Sequence, residues 1–170
     1  VQNILVQQYT NLNNVFNLYN EKVKVVKKDT LTAKATKEQL ISDIENERMK
    51  KLSGFHADFI ASLQKHLSVE QINKVKDGMT YNKLNVTYNA YVDMIPSLTK
   101  EQKEKIYNYL LEAREFAMDA GSSEKKTEWF GKYKGRINNY LSQQGYDMKK
   151  EEQGWQQRIK ERQETNKKTS

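Results

Sequence analysis

A chain of 170 residues, 36% apolar and 30% charged, with net charge +7, one proline and seven glycines, is long enough for one domain that buries roughly 70% of its unfolded surface. It has no cysteine, which excludes disulfides, thiolate chemistry and cysteine-ligated zinc, and no apolar run approaches the roughly 20 residues of a membrane span. So few apolar residues and so few helix breakers predict an all-α chain, a helical bundle of about six helices whose core is built from stripes on amphipathic faces.

The first element reads as a long helix. Leu5, Tyr9, Leu12, Phe16, Tyr19, Val23 and Val26 recur in steps of four and three, a single seam about seven turns long. That seam needs a partner, either within the chain or in a second copy, so a homo-oligomer stays open. Residues 29–35, DTLTAKA, form the corner, because Asp29, Thr30 and Thr32 compete with the backbone for hydrogen bonds.

The phrases ATKEQ at 35–39, LSVEQ at 67–71 and LTKEQ at 98–102 then punctuate the chain. Thr36 with Gln39, Ser68 with Gln71 and Thr99 with Gln102 match the capping box, and Glu38, Glu70 and Glu101 fall where a carboxylate meets the positive end of the helix dipole. Each phrase therefore predicts a helix start. From Thr36 the apolar positions Ile41, Ile44, Met49, Leu52, Phe55, Phe59, Ile60 and Leu63 keep the helical period, with Gly54 a candidate kink. A short helix follows from Ser68 to near Gly78. Residues 84–92, LNVTYNAYV, alternate like a strand, but Leu84, Tyr88 and Ile95 also fit a helix, and a lone strand would have no partner. Pro96 closes that helix. Thr99 opens the next, to about Met118, with Gly121 as its stop. Ser122 or Ser123 opens a helix that runs to about Gln144, where Gly145 ends it and completes a C-terminal helical hairpin. The single domain is expected at 1–147, and 148–170 as a charged tail, partly helical or disordered, carrying Trp155 and Ile159.

Chemistry is sparse. On the helix after Ser123, Trp129, Tyr133, Ile137, Tyr140 and Leu141 make an apolar face, while Gly131, Gly135 and Ser142 make a strip without bulk. Each glycine costs about 1 kcal/mol of helix propensity, which predicts a compensating close approach, by another backbone or by a ligand. Lys132, Lys134 and Arg136 with Trp129 and Tyr133 offer a cationic aromatic surface suited to phosphate, a uronic acid or a single strand. Nucleic acid is disfavoured, because alternate residues on a helix do not share a face. Glu112, Glu115 and Asp119 lie on one helical side, and paired carboxylates can serve as general acid and base in glycoside cleavage; they fit a solvated flank equally well. His56 and His66 stand almost three turns apart, too far to share a metal on one straight helix. His56 reads as a core-edge residue, and no metal or cofactor is expected.

Two stretches carry a resemblance: KVKDGMTYNKLNVTYNAYVDMIPSLTKEQKEKI, and LEAREFAMDAGSSEKKTEWFGKYKGRINNYLSQQGYD with its motifs AMDAGSS and FGKYKGRINNYL. Over about 65–150 the chain resembles an uncharacterised family, a domain of unknown function, of exported all-helical proteins from glycan-degrading gut bacteria. The resemblance implies a compartment outside the cytoplasm and no established activity. A site common to such a family would fall here on Arg114, Asp119, Lys132, Tyr133, Lys134, Arg136, Asn138 and Asn139. The phrases LTKEQ and LSVEQ are also similar to the Leu-Thr-x-x-Gln signature of small periplasmic stress chaperones.

These readings lead to a non-catalytic binding module of the periplasm or envelope, whose partner is an acidic glycan or an envelope protein. A chaperone-like cradle for unfolded clients is the first alternative, and a carbohydrate-active enzyme using Glu112, Glu115 or Asp119 the second. Because Val1 already lies inside a helical pattern, a leader is expected to have preceded it.

Overall fold

The computed structural model describes residues 1–168, with side chains as far as Thr165. It is all-α: among the described residues there are seven helices, α1 (Gln2–Lys28), α2 (Lys34–Gln64), α3 (Val69–Met79), α4 (Lys83–Met94), α5 (Lys100–Met118), α6 (Ser123–Gln143) and α7 (Met148–Lys168). They form two compact units. The first comprises Val1–Val75 with Asp119–Ser122, and the second Lys76–Met118 with the chain from Ser123 onward.

In the first unit α1 packs along α2. Leu12, Val15, Tyr19 and Leu52 form a small core cluster, with Phe16, Ile44 and Phe55 packed against them, and Phe59, Leu63 and Ile72 of this unit are also buried. The heptad seam is thus mostly as spaced, but Tyr9 is 43% exposed while Gln8 is buried at 2%, because the buried stripe turns toward Gln8 and Val15. The corner is an Asx turn. Asp29 Oδ1 accepts the amide of Leu31 at 2.8 Å and that of Thr32 at 3.3 Å, and the Thr32 hydroxyl donates to Oδ2. This turn corrects one expected cap: α2 begins at Lys34 with Ala33 before it and no side-chain cap. The Asp29 turn ends at Thr32 and the helix starts directly after Ala33, so Lys37 N–H bonds Ala33 O at 3.1 Å and Thr36 lies within the first turn. Gln39 instead donates to Asp43 Oδ1 at 2.9 Å. Gly54 does not interrupt α2. The loop 119–122 also belongs to this unit, and there a Cβ on Gly121 would stand 3.0 Å from the Phe16 ring.

The other two capping boxes are formed. Ser68 N–H donates to Gln71 Oε1 at 2.9 Å and Gln71 N–H to Ser68 Oγ at 3.3 Å; Thr99 and Gln102 repeat the exchange at 2.9 and 3.2 Å. In the second unit α5 packs against both α4 and α6, and α7 against α4 and α6. Leu84, Tyr91, Ile95, Ile106, Leu110, Ala113, Phe130, Ile137 and Leu141 are among its core residues. Tyr81 and Asn82 between α3 and α4 both hold positive φ, 55° and 54°, and the Asn82 amide closes the turn onto Asp77 O at 2.7 Å. Gly145, at φ 94°, is the left-handed stop that ends α6.

One sequence expectation changes here. Nothing lies within 4 Å of a Cβ built on Gly131 or Gly135, and both face solvent with Ser142. Among the described residues no element uses the strip for close packing, because α6 turns the opposite side, with Phe130, Tyr133, Ile137 and Leu141, into the core. Residues 148–168 form the helix α7, with Trp155 and Ile159 half-buried; the end of the expected tail, 169–170, lies outside the described residues.

Candidate functional site

The sequence candidates separate into four places. Arg114 is only 3% exposed, and its Nη1 donates to Asp77 Oδ1 at 2.8 Å while its Nε lies 3.6 Å from Glu115 Oε1. Glu115 also takes Lys76 Nζ at 2.8 Å. A guanidinium so desolvated, with carboxylates supplying its countercharge, is architecture that ties α3 to α5 within the second unit.

Asp119 lies just past the end of α5, so it does not share a helical side with Glu112 and Glu115. It belongs to the first unit, where its Oδ2 sits 2.8 Å from His56 Nδ1 and its Oδ1 accepts from Gln8 Nε2 at 3.4 Å. His56, expected at a core edge, thus has a carboxylate beside it. Nothing in the spacing of 56 and 119 announces that pairing.

Lys134 and Asn138 occur on the side of α6 that meets α4. The Tyr91 hydroxyl donates to Asn138 Oδ1 at 2.7 Å and lies 3.4 Å from Lys134 O; burial raises the Tyr91 pKa. Asn139 is exposed.

The remaining candidates converge on the seam between α5 and α6. The Tyr133 hydroxyl donates to Glu112 Oε2 at 3.1 Å, and Arg136 Nη1 lies 3.9 Å from the same oxygen. The Arg136 guanidinium stands 4.5 Å over the Tyr133 ring, and Lys132 Nζ 4.9 Å over Trp129. Burial, then the Glu112 bond, raises the Tyr133 pKa, so the phenol stays a protonated donor. Trp129, Lys132, Tyr133 and Arg136 share this face because they stand at i, i+3, i+4 and i+7. Lys134, two residues from Lys132 and from Arg136, points elsewhere.

The structure adds Phe116, Tyr109, Tyr140 and Lys105 to the seam. Phe116 stacks on Trp129 with centroids 4.6 Å apart and planes at 15°, and it is 41% exposed. Tyr109 meets Tyr140 edge to face at 6.4 Å, with Lys105 Nζ 5.0 Å over Tyr109. Lys105, Tyr109, Glu112 and Phe116 step by four, three and four along α5, a helical period that marks one face of α5. From Trp129 to Tyr140 the seam runs about 16 Å. It is a ribbon of partly exposed rings, Trp129, Phe116, Tyr109 and Tyr140, bordered by cations, with the Tyr133 ring buried beneath Arg136, able to stack on a flat apolar ring face and pair with an anion.

Among the described residues no group of three or more His, Asp or Glu could hold a metal ion, and no helix is long and apolar enough to cross a membrane. No curated protein matches the sequence. Residues 1–161 match the model of the family described as Protein of unknown function (DUF3826), and the chain belongs to that family.

Proposed function

We propose that the chain is a non-catalytic binding module that works outside the cytoplasm, in the periplasm or envelope, and recognises an acidic glycan along the α5–α6 seam. The observation that carries this reading is the repeated pairing of ring and cation: Lys132 on Trp129, Arg136 on Tyr133 and Lys105 on Tyr109. The part-exposed rings of Trp129, Phe116 and Tyr109 take the C–H side of a sugar, and the Arg136 guanidinium, held over the buried Tyr133 ring, takes a carboxylate through two parallel hydrogen bonds. Export rests on the resemblance to exported proteins of glycan-degrading gut bacteria. The enzyme alternative has less support. Glu112 is engaged by Tyr133 and Arg136, Glu115 by Lys76 and Arg114, and Asp119 by His56, whereas glycoside cleavage needs two carboxyls facing one bond.

Titration calorimetry with uronic-acid oligomers tests the reading. Lys132→Ala/Arg136→Ala and Trp129→Ala should each weaken binding at least about tenfold, the loss of roughly 1.4 kcal/mol, and added salt should weaken the wild type. Undiminished affinity in the double variant, or no binding by the wild type, refutes it.

The chaperone-like cradle is the second reading. It is favoured by apolar side chains left outside on the first unit: Leu18 at 55%, Val25 at 68% and Leu31 at 95% exposure. Suppression of client aggregation by the chain without any sugar present would support it, and loss of that suppression in Leu18→Ser/Val25→Ser would assign it to this face.

A further inference from the structure

The first twenty residues, VQNILVQQYTNLNNVFNLYN, contain no charged side chain and nine Asn or Gln, in a chain that is 30% charged. Solvated helix faces in this protein otherwise carry Lys and Glu. The structure shows where four of these amides stand. Asn3, Gln7, Asn11 and Asn14 step by four, four and three, so they form one row along α1, about 16 Å long at helical rise. The row walls two adjoining grooves against α2, of about 310 Å³ and 210 Å³, which share Asn11 and Phe55. The facing wall includes Phe55, Asp58 and Phe59.

From this juxtaposition we propose a second binding site in the α1–α2 groove, for an extended neutral oligosaccharide. The larger groove falls in the size range of ligand pockets. A side-chain amide offers two donors and one acceptor, the complement of a pair of neighbouring hydroxyls, and a row of them repeats that complement along a chain of sugars. Gln7 Nε2 donates to Asn11 Oδ1 at 2.9 Å, which orients both amides and leaves the Gln7 carbonyl and the Asn11 amino group for a ligand. Phe55, half-buried between the two grooves, supplies a ring face for sugar C–H groups. Asp58 lines the larger groove and Lys51 the smaller; the Asp58 carboxylate accepts from hydroxyls and repels a uronic acid. In the larger groove that charge selects against the ligand class proposed for the α5–α6 seam.

The test is nuclear magnetic resonance of the ¹⁵N-labelled whole chain, titrated with neutral gluco- and xylo-oligosaccharides and with uronic-acid oligomers. A neutral oligomer should move the side-chain amide signals of Gln7, Asn11 and Asn14. Asn11→Ala should weaken that binding at least about tenfold, or roughly 1.4 kcal/mol, and Gln7→Ala/Asn14→Ala, at exposed positions that leave the fold intact, should do the same. Lys132→Ala/Arg136→Ala should leave it unchanged, which separates this site from the seam. Unmoved amide signals with every neutral oligomer, unchanged affinity in Gln7→Ala/Asn14→Ala, or stronger binding of the uronic acid at these amides would each overturn the proposal.

Discussion

In the first unit α1 lies along α2, whereas in the second α5 lies between α4 and α6. The difference is visible in burial. Ile95, Ile106, Leu110, Ala113, Ala117, Ile137 and Leu141 of the second unit have no exposed surface, while of the first unit's core residues only Leu63 reaches that state. A helix with one neighbour buries one stripe, and a helix with two buries two. The single-stripe hairpin leaves its flanks as grooves, and the sandwiched helix pushes its polar groups to a seam. The same amphipathic grammar thus yields two kinds of surface, an amide-lined trough and a ring-and-cation ribbon.

The contrast breaks most visibly in the cores. Ile137→Ala, at a site closed on all sides, should cost about 4 kcal/mol, whereas Leu52→Ala, at a thinner core that can collapse, should cost about 2 kcal/mol. Urea unfolding followed by hydrogen exchange in each unit measures both, and equal costs would remove the distinction.

A second difference is electrostatic. Asp93 on α4 is held at a pKa of about 2, below its ordinary 3.8, by Arg162 first and then Trp155. Because the folded value is the lower one, this stabilisation is present above about pH 4 and is lost as pH falls toward 2. Exchange protection of α7 should fall across that window while the core of the second unit keeps its own, and Asp93→Asn should remove the pH step.

The caps separate more finely. Thr99→Ala and Ser68→Ala should each cost about 1 kcal/mol, and Thr36→Ala, within the first turn of α2, should cost no more than a few tenths of that. Thermal melts of the three variants check this ordering. Smallest of all, Gly131→Ala or Gly135→Ala should raise stability by about 0.5–1 kcal/mol, since open space surrounds both and alanine favours helix. A destabilised Gly131→Ala would instead reveal a partner on that strip.

Helical periodicity was enough to find the all-α class, the α5–α6 hairpin and most buried positions, because a 3.6-residue period is local. Two of three capping phrases were legible for the same reason. The third failed because Asp29, seven residues before Thr36, had already closed the turn, and a five-residue phrase does not record what precedes it. Of the site, Trp129, Lys132, Tyr133 and Arg136 were legible from spacing on α6. Phe116 and Tyr109 were not, since their role depends on which face α5 turns to α6. Arg114 and Asp119 looked alike as polar residues near one helix end, yet one is buried among α3 and α5 carboxylates and the other meets His56. Only tertiary packing separates them.

The clamp on Asp93 has one more consequence. Arg162 grips its carboxylate through two bonds of 2.8 and 3.0 Å, Trp155 Nε1 adds a third at 2.6 Å, and Arg158 caps the carbonyls of Asp93 and Met94. Beyond its first turn, the last helix is moored largely by charge and hydrogen bonds at the end of α4. Ionic strength therefore becomes a lever on this one segment: concentrated salt or a competing polyanion loosens the mooring and leaves the greasy interior of the second unit intact.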